Sequence, residues 1–238
     1  MSSLAYDPRM MPGETLLIDG DDTLWENNVY FEEAIEAFLD YLSHSSLSRD
    51  QVRSTLDEIE RLNSRVHGYG AAAFARNLRE TYERLAERRV ERRDLDYLMV
   101  LGQRILKRDV VILPGVGETL FYLNARHRLL LLTKGDVEEQ RLKVEASGLT
   151  ANFEQVVIVR EKDVDAYRDL ARAYHLDPAR TWMVGNSPRS DINPALAAGL
   201  KAVFIPHAYT WRLETERIPE PDSRLLVLSA FTDLRAHF

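Results

Sequence analysis

The 238-residue chain has no cysteine. That excludes disulfides, thiolate metal sites and a cysteine nucleophile, and a cytoplasmic protein is the simplest fit. Lysine is scarce: Lys107, Lys134, Lys143, Lys162 and Lys201 are the only five, so 26 of the 31 basic residues are arginine. Against that background a lysine in a motif position carries extra weight. Long apolar runs are missing as well. Stretches such as Leu129 to Leu132 fall far short of the roughly 18 residues of a membrane span, so no membrane partner is expected. The N-terminus, with Asp7 and Pro8 before Met10, Met11 and Pro12, lacks the charged and apolar regions of a signal peptide. Positive charge is not in surplus either. A net charge of -7 argues against general nucleic-acid binding, which needs a basic face. It also gives an anionic ligand little long-range steering, so attraction must be local.

What the chain does have is an ordinary globular composition, 45% hydrophobic and 29% charged, and enough length for one large domain or a core with a smaller insert. Residues 1 to 14 read as a short arm. Thr15 to Asp19 reads as a buried strand, ending in the loop Gly20-Asp21-Asp22-Thr23-Leu24. From Val29 the pattern is helical for a long way: Phe31, Ile35, Phe38, Leu39 and Leu42 form one amphipathic face. Ser48 with Gln51 makes a capping box for a second helix. Gly68-Tyr69-Gly70 breaks the pattern, Ala71 to Glu87 resumes it, and a further helix runs from about Asp94 to Lys107. Arg88, Arg89, Arg92 and Arg93, interleaved with Glu87, Glu91 and Asp94, read as a solvated helix face rather than an anion site.

From Val110 the style changes to short apolar runs separated by helices. Val110 to Leu113, Leu129 to Leu132, Val156 to Val159, Thr181 to Val184, Ala202 to Ile205 and Leu225 to Leu228 are the runs. Helices fall at Val116 to Asn124, Val137 to Ala146 closed by Gly148, Val164 to Tyr174, and around Pro194 to Ala198. Such alternation predicts a parallel sheet covered on both faces. The fold class is α/β, a Rossmann-like parallel sheet core with an all-helical insert. The core comprises 1–28 and 109–238, and the insert 29–108. Neither internal repeats nor low-complexity segments occur.

Polar residues stand at the ends of four predicted strands, where open α/β sheets place their ligands. Asp19 and Asp21 come first; if the chain stays extended they leave on the same side. Their repulsion calls for a cation or a proton, and oxygen donors suit a hard divalent ion such as Mg2+. Second is Thr133-Lys134-Gly135-Asp136, whose hydroxyl, cation and helix-start N–H groups suit a phosphate; Asp136 as a plain helix N-cap explains the same turn. Third is Glu161-Lys162, where a lysine near a helix start sits against the dipole. Fourth is Val184-Gly185-Asn186-Ser187-Pro188-Arg189-Ser190-Asp191.

Taken in order, Asp19-x-Asp21-x-Thr23, Thr133, Lys162 and the segment ending in Asp191 resemble the motifs of the haloacid dehalogenase-like (HAD) phosphohydrolases. The helical insert resembles the cap that some of these enzymes carry after the first motif. Asn186 departs from the pattern, since an aspartate is common there. The resemblance implies a Mg2+-dependent phosphomonoester hydrolase acting on a small phosphorylated metabolite. Asp19 would attack phosphorus and become an aspartyl-phosphate, with Asp21 as acid and then base. Mg2+ would be held by Asp19, the main-chain carbonyl of Asp21 and Asp191, with Asn186 nearby. Thr133 and Lys162, helped by Lys134, would bind the phosphoryl oxygens. Dehalogenases in the family attack carbon and typically lack the second aspartate, so Asp21 favours phosphate chemistry.

The insert is expected to act as a lid, with Tyr69 facing the substrate and Trp25, Asn27, Asn28 and Tyr30 near the entrance. Two other readings stay open: phosphomutase-like transfer to a sugar, and a catalytically silent phosphate-binding relative. A monomer or homodimer is expected.

Overall fold

The computed structural model describes residues 13–238; most of the arm expected over residues 1 to 14 lies outside the described residues. Six strands form one parallel sheet: β1 (Thr15–Ile18), β2 (Arg128–Lys134), β3 (Gln155–Val159), β4 (Thr181–Gly185), β5 (Lys201–Phe204) and β6 (Leu225–Val227). Their spatial order is β3-β2-β1-β4-β5-β6, so β1 is central and pairs in parallel with both β2 and β4. Chain order reverses across the β1–β4 pair, the place where such sheets leave a crevice at their carboxyl ends.

Burial explains the continuous apolar runs. Leu16 and Ile18 of β1 enter one hydrophobic cluster with Leu129, Leu131, Val184 and Val203. Leu17 enters another with Leu130, Leu132, Met183 and Tyr167. Successive side chains point to opposite faces, and here both faces are covered. The covering helices are α5 (Val116–Asn124), α6 (Val137–Ser147), α7 (Val164–Ala173) and the short α8 (Asn193–Ala197), where the numbering counts the four helices of the insert first. Gly148 closes α6 in the left-handed conformation, φ 67°.

The insert is α1 (Asn28–Leu42), α2 (Arg49–His67), α3 (Ala71–Leu85) and α4 (Arg92–Leu106). They bury a core of their own: Ile35, Phe38, Val52, Leu56, Phe74, Leu78, Leu98 and Leu101. The Ser48–Gln51 capping box is formed in both directions. Among the described residues no helix is long and apolar enough to cross a membrane.

Two expectations are corrected. Val110 to Leu113 is not a strand of the sheet. Glu26 N donates to Val111 O and Leu113 N to Leu24 O, so this run pairs with the loop after β1 where the chain re-enters the core. The arginine-rich stretch after α3 is solvated, with Arg88, Arg89, Arg92 and Arg93 all exposed, but only Arg92 and Arg93 are helical and Asp94 is not part of that face. Asp94 is fully buried, accepts from Arg88 at 2.6 and 2.9 Å, from the Tyr41 hydroxyl at 2.5 Å and from Glu91 N at 2.8 Å, so one arginine, a tyrosine of α1 and the start of α4 satisfy it.

Candidate active site

Asp19 is the first residue beyond β1, and its N–H donates to Val184 O at 2.9 Å, which holds it against the end of β4. Lys162, three residues past β3, brings its Nζ to Asp19 Oδ1 and to Asp191 Oδ1 at 2.8 Å. All three side chains are buried. The Thr23 hydroxyl donates to Asp19 Oδ2 at 3.1 Å and lies 3.4 Å from Asn186 Oδ1. Asp191 sits in a turn of π-helix, Pro188–Ile192, and accepts from Ser187 N at 3.0 Å. A Cβ on Gly185 would come within 2.2 Å of Asp191 Oδ2, so only glycine lets that carboxylate approach β4. Three segments far apart in sequence thus converge on one ammonium group.

Burial and the neighbouring Asp191 push the Asp19 carboxyl up to about 7, against the opposing pull of Lys162. Lys162 serves two carboxylates and leaves negative charge over.

Asp21 has different company. The loop does not stay extended: Thr23 N and Leu24 N both turn back to Gly20 O. The Asp21 carboxylate faces α6, receiving Lys143 Nζ at 2.7 and 2.8 Å, Gln140 Nε2 at 2.8 Å and Trp25 Nε1 at 2.7 Å. Burial alone would raise its pKa; Lys143 and the two neutral donors outweigh burial and hold it below the usual carboxylate range. Gln140 also receives the Thr133 hydroxyl on its Oε1 at 3.0 Å, so the second and first motifs are joined through one amide. Trp25, expected near the entrance, is fully buried. Asn27 and Asn28 do line the cavity, whereas Tyr30 packs under the Arg108 guanidinium, 5.2 Å from its ring centroid.

Lys134 is held by carboxylates rather than standing free at the helix start. Its Nζ meets Glu214 Oε1 at 2.7 Å, Ser190 Oγ at 2.7 Å and Glu161 Oε1 at 3.1 Å, and lies 4.5 Å from the Tyr69 ring centroid. Tyr69, in the turn between α2 and α3, donates its hydroxyl to Glu161 Oε2 at 2.5 Å. The start of α3 is tied to the core again where Ala71 N donates to the Glu139 carboxylate at 3.0 and 3.1 Å. Asp136 caps α6, accepting from Glu138 N and Glu139 N.

The donor set suits a hard divalent cation: Asp19, Asp191, the Asn186 amide oxygen and nearby main-chain oxygens are all oxygen ligands, and one lysine leaves the two carboxylates under-neutralised. A second grouping, Asp22, Glu26 and His207, brings ligand atoms within 4.8 Å of one another. There Asp22 already accepts from Asn27 N at 2.9 Å and Asn28 N at 3.0 Å, capping α1 in place of Asn27, whose side chain makes no capping bond.

Residues missed at the sequence level are Lys143, Gln140, Ser190, Thr210, Trp211 and Glu214, all of which line the cavity with the motif residues. Lys143 carried a signal, being one of five lysines and on the same helix face as Gln140 three residues earlier.

A strand-end carboxylate, a buried lysine and an acidic loop around one crevice are the arrangement of a hydrolase of the HAD type. Residues 14–199 match the family model described as haloacid dehalogenase-like hydrolase, and the chain belongs to that family. It is similar to the crystal structure of a haloacid dehalogenase-like family hydrolase from Xanthomonas campestris, with a TM-score of 0.81 and 30% identity over 95% of this chain and 94% of that one. It shares the fold of L-2-haloacid dehalogenase from Xanthobacter autotrophicus, with a TM-score of 0.63 and 16% identity over 94% of this chain and 97% of that one. Among curated proteins, N-acylneuraminate-9-phosphatase of Mus musculus is 32% identical over 116 residues, 46% of this chain and 44% of that protein. Phosphoserine phosphatase of Thermus thermophilus is 33% identical over 93 residues, 36% of this chain and 37% of that protein. The matches span less than half the length of these two relatives.

Proposed function

We propose that this chain is a Mg2+-dependent phosphomonoester hydrolase that works through an aspartyl-phosphate on Asp19. The observation that carries the reading is the pairing of two motif carboxylates with two lysines in one cavity: Asp19 with Lys162, Asp21 with Lys143. In the first half-reaction an Asp19 oxygen bonds to phosphorus, the ester oxygen leaves, and Asp21 supplies its proton. In the second, water attacks the same phosphorus while Asp21 takes a proton from it, and Asp19 is released. Splitting one displacement into two is the gain from the nucleophile, and positioned acid–base help is worth about a hundred- to ten-thousandfold. Lys162 and Thr133 donate to the phosphoryl oxygens, and Lys143 sets how readily Asp21 holds the proton. Asp19, Asp191 and the Asp21 carbonyl, with Asn186 beside them, would hold Mg2+, which would supply neutralisation of charge on the transferring group. The helices over 29–108 serve as the cap that excludes water, with Tyr69 as their contact near the phosphate end.

Asp21 supports phosphoryl transfer over dehalogenation, since carbon–halogen displacement expels a halide that needs no proton. The phosphatase names of the two curated relatives support the same choice. The test is turnover of an aryl phosphate with Mg2+ and with EDTA, for wild type and Asp19→Asn. Wild type is expected to need the metal and Asp19→Asn to lose at least about a thousandfold. Wild-type-like turnover by Asp19→Asn would refute the covalent route.

A further inference from the structure

The cavity between the helical insert and the sheet edge encloses about 160 Å³, more than ten times the roughly 10–15 Å³ that one water needs. It has room for a phosphate and a small organic body. Asp19, Lys162 and Thr133 mark the phosphate end. The insert lines the cavity as well. Phe31 and Ile35 of α1 and Phe74 of α3 make an apolar wall, with Phe31 and Phe74 in edge contact at 5.1 Å. From α2, Glu60, 5% exposed, lines the same cavity. Trp211 Nε1 donates to its Oε2 at 3.2 Å. The nearest cation, Arg53, is already committed to Glu32 at 2.7 and 2.8 Å and to Asp57 at 2.9 Å. A buried carboxylate with one weak donor has acceptor capacity left for a ligand.

The charge of the cavity points the same way. Among the described residues, eight acidic side chains and three lysines line it. Each lysine already faces carboxylates: Lys162 has Asp19 and Asp191, Lys143 has Asp21, and Lys134 has Glu161 and Glu214. Burial pushes the Glu60 carboxyl up to about 7, and a substrate carboxylate brought beside it would be desolvated with no uncommitted cation to receive it, which is costly. A hydroxyl or an ammonium would instead find an acceptor.

We propose that the substrate is a phosphomonoester whose body bears a hydroxyl or amino group for Glu60 and carries no carboxylate. This rests on the phosphomonoesterase reading and narrows it to a class.

The test uses matched pairs with the full-length protein and Mg2+: phosphoethanolamine against phosphoserine, and glycerol 3-phosphate against 3-phosphoglycerate. Expected is a kcat/KM at least tenfold higher for the carboxylate-free member of each pair. Equal or reversed preference overturns the proposal. Glu60→Arg is expected to shift the ratio at least tenfold towards the carboxylate-bearing member, and Glu60→Gln to raise KM for phosphoethanolamine at least fivefold with a smaller change in kcat. A ratio measured within one preparation does not depend on the fraction folded, and an unaltered ratio in Glu60→Arg overturns the role of Glu60. If Glu60→Arg yields no active protein, the wild-type pairs and Glu60→Gln still decide. p-Nitrophenyl phosphate serves as the reference. Turnover of it alongside a failed preference overturns the substrate class alone; turnover of no ester overturns the phosphomonoesterase reading with it.

Discussion

Lys162 and Lys143 reach the same cavity from different elements, the loop after β3 and the middle of α6, and each ends on an aspartate of the first motif. Their circumstances differ. Lys162 is shared between two buried carboxylates, Asp19 and Asp191, and Asp19 is pushed up to about 7. Lys143 has one carboxylate, aided by Gln140 and Trp25, and Asp21 is held below its ordinary range. Two acids two residues apart are thus tuned in opposite directions by burial and by how many partners share a cation. The Asp19 half is left under-neutralised, whereas the Asp21 half is neutralised by Lys143 with Gln140 and Trp25.

The comparison can be broken most forcefully at Lys162. Lys162→Met should lower aryl phosphate turnover by roughly a hundred- to a thousandfold, the usual loss on deleting a charge-stabilising donor. It should also destabilise the fold by about 3–5 kcal/mol in EDTA, since two buried carboxylates lose their counter-charge. Urea titration with and without Mg2+ checks this, and the loss should shrink when the metal is present.

Lys143→Met is expected to cost less, about ten- to a hundredfold in turnover. With its cation gone, Asp21 binds its proton more tightly, so the limb of the kcat/KM profile that requires protonated Asp21 should move to higher pH by roughly one unit or more. Lys143→Arg should restore most of both. An unmoved profile would place Lys143 in packing only.

The smallest effect sharpens the contrast thermodynamically. Asp19 binds protons more tightly folded than unfolded, so its contribution is fully present below its unfolded pKa of about 3.9 and is lost as pH rises through about 7. Asp21 does the reverse: its contribution is present above about pH 3.9 and lost as pH falls through its depressed folded value. In EDTA, Asp19→Asn should therefore raise Tm by a few degrees at pH 8 and leave pH 4 nearly unchanged. Asp21→Asn should lower Tm at pH 8 and flatten the acid-side decline. Scanning calorimetry across pH 3 to 9 would show both.

Much of this was legible before any coordinates. Buried strands write themselves as apolar runs, so Leu129 to Leu132 and Thr181 to Val184 could be placed within a residue or two, and polar residues at their ends marked the crevice. Ser48 and Gln51 announced a helix start. What escaped depended on tertiary partners. Lys143 and Gln140 lie mid-helix, where no strand end advertises them. Trp211 and Glu214 come from the Pro-bounded segment after β5, which has neither helical nor strand periodicity. Val110 to Leu113 has strand composition, yet its hydrogen bonds go to the loop after β1. Asp94 looked solvated because sequence spacing cannot show that Arg88 folds over it.

Trp211 carries a further consequence. Trp25 and Trp182, the other two tryptophans, lie in the core at 0% and 8% exposure. Trp211 instead ties α2 to the sheet edge through Glu60 and meets Tyr69 edge-on at 6.1 Å. Any swing of the helices away from the sheet strips the indole of both neighbours and wets it. The protein therefore comes with its own optical gauge: stopped-flow emission from unlabelled enzyme, with Trp25→Phe and Trp182→Phe as backgrounds, should time each opening and closing directly.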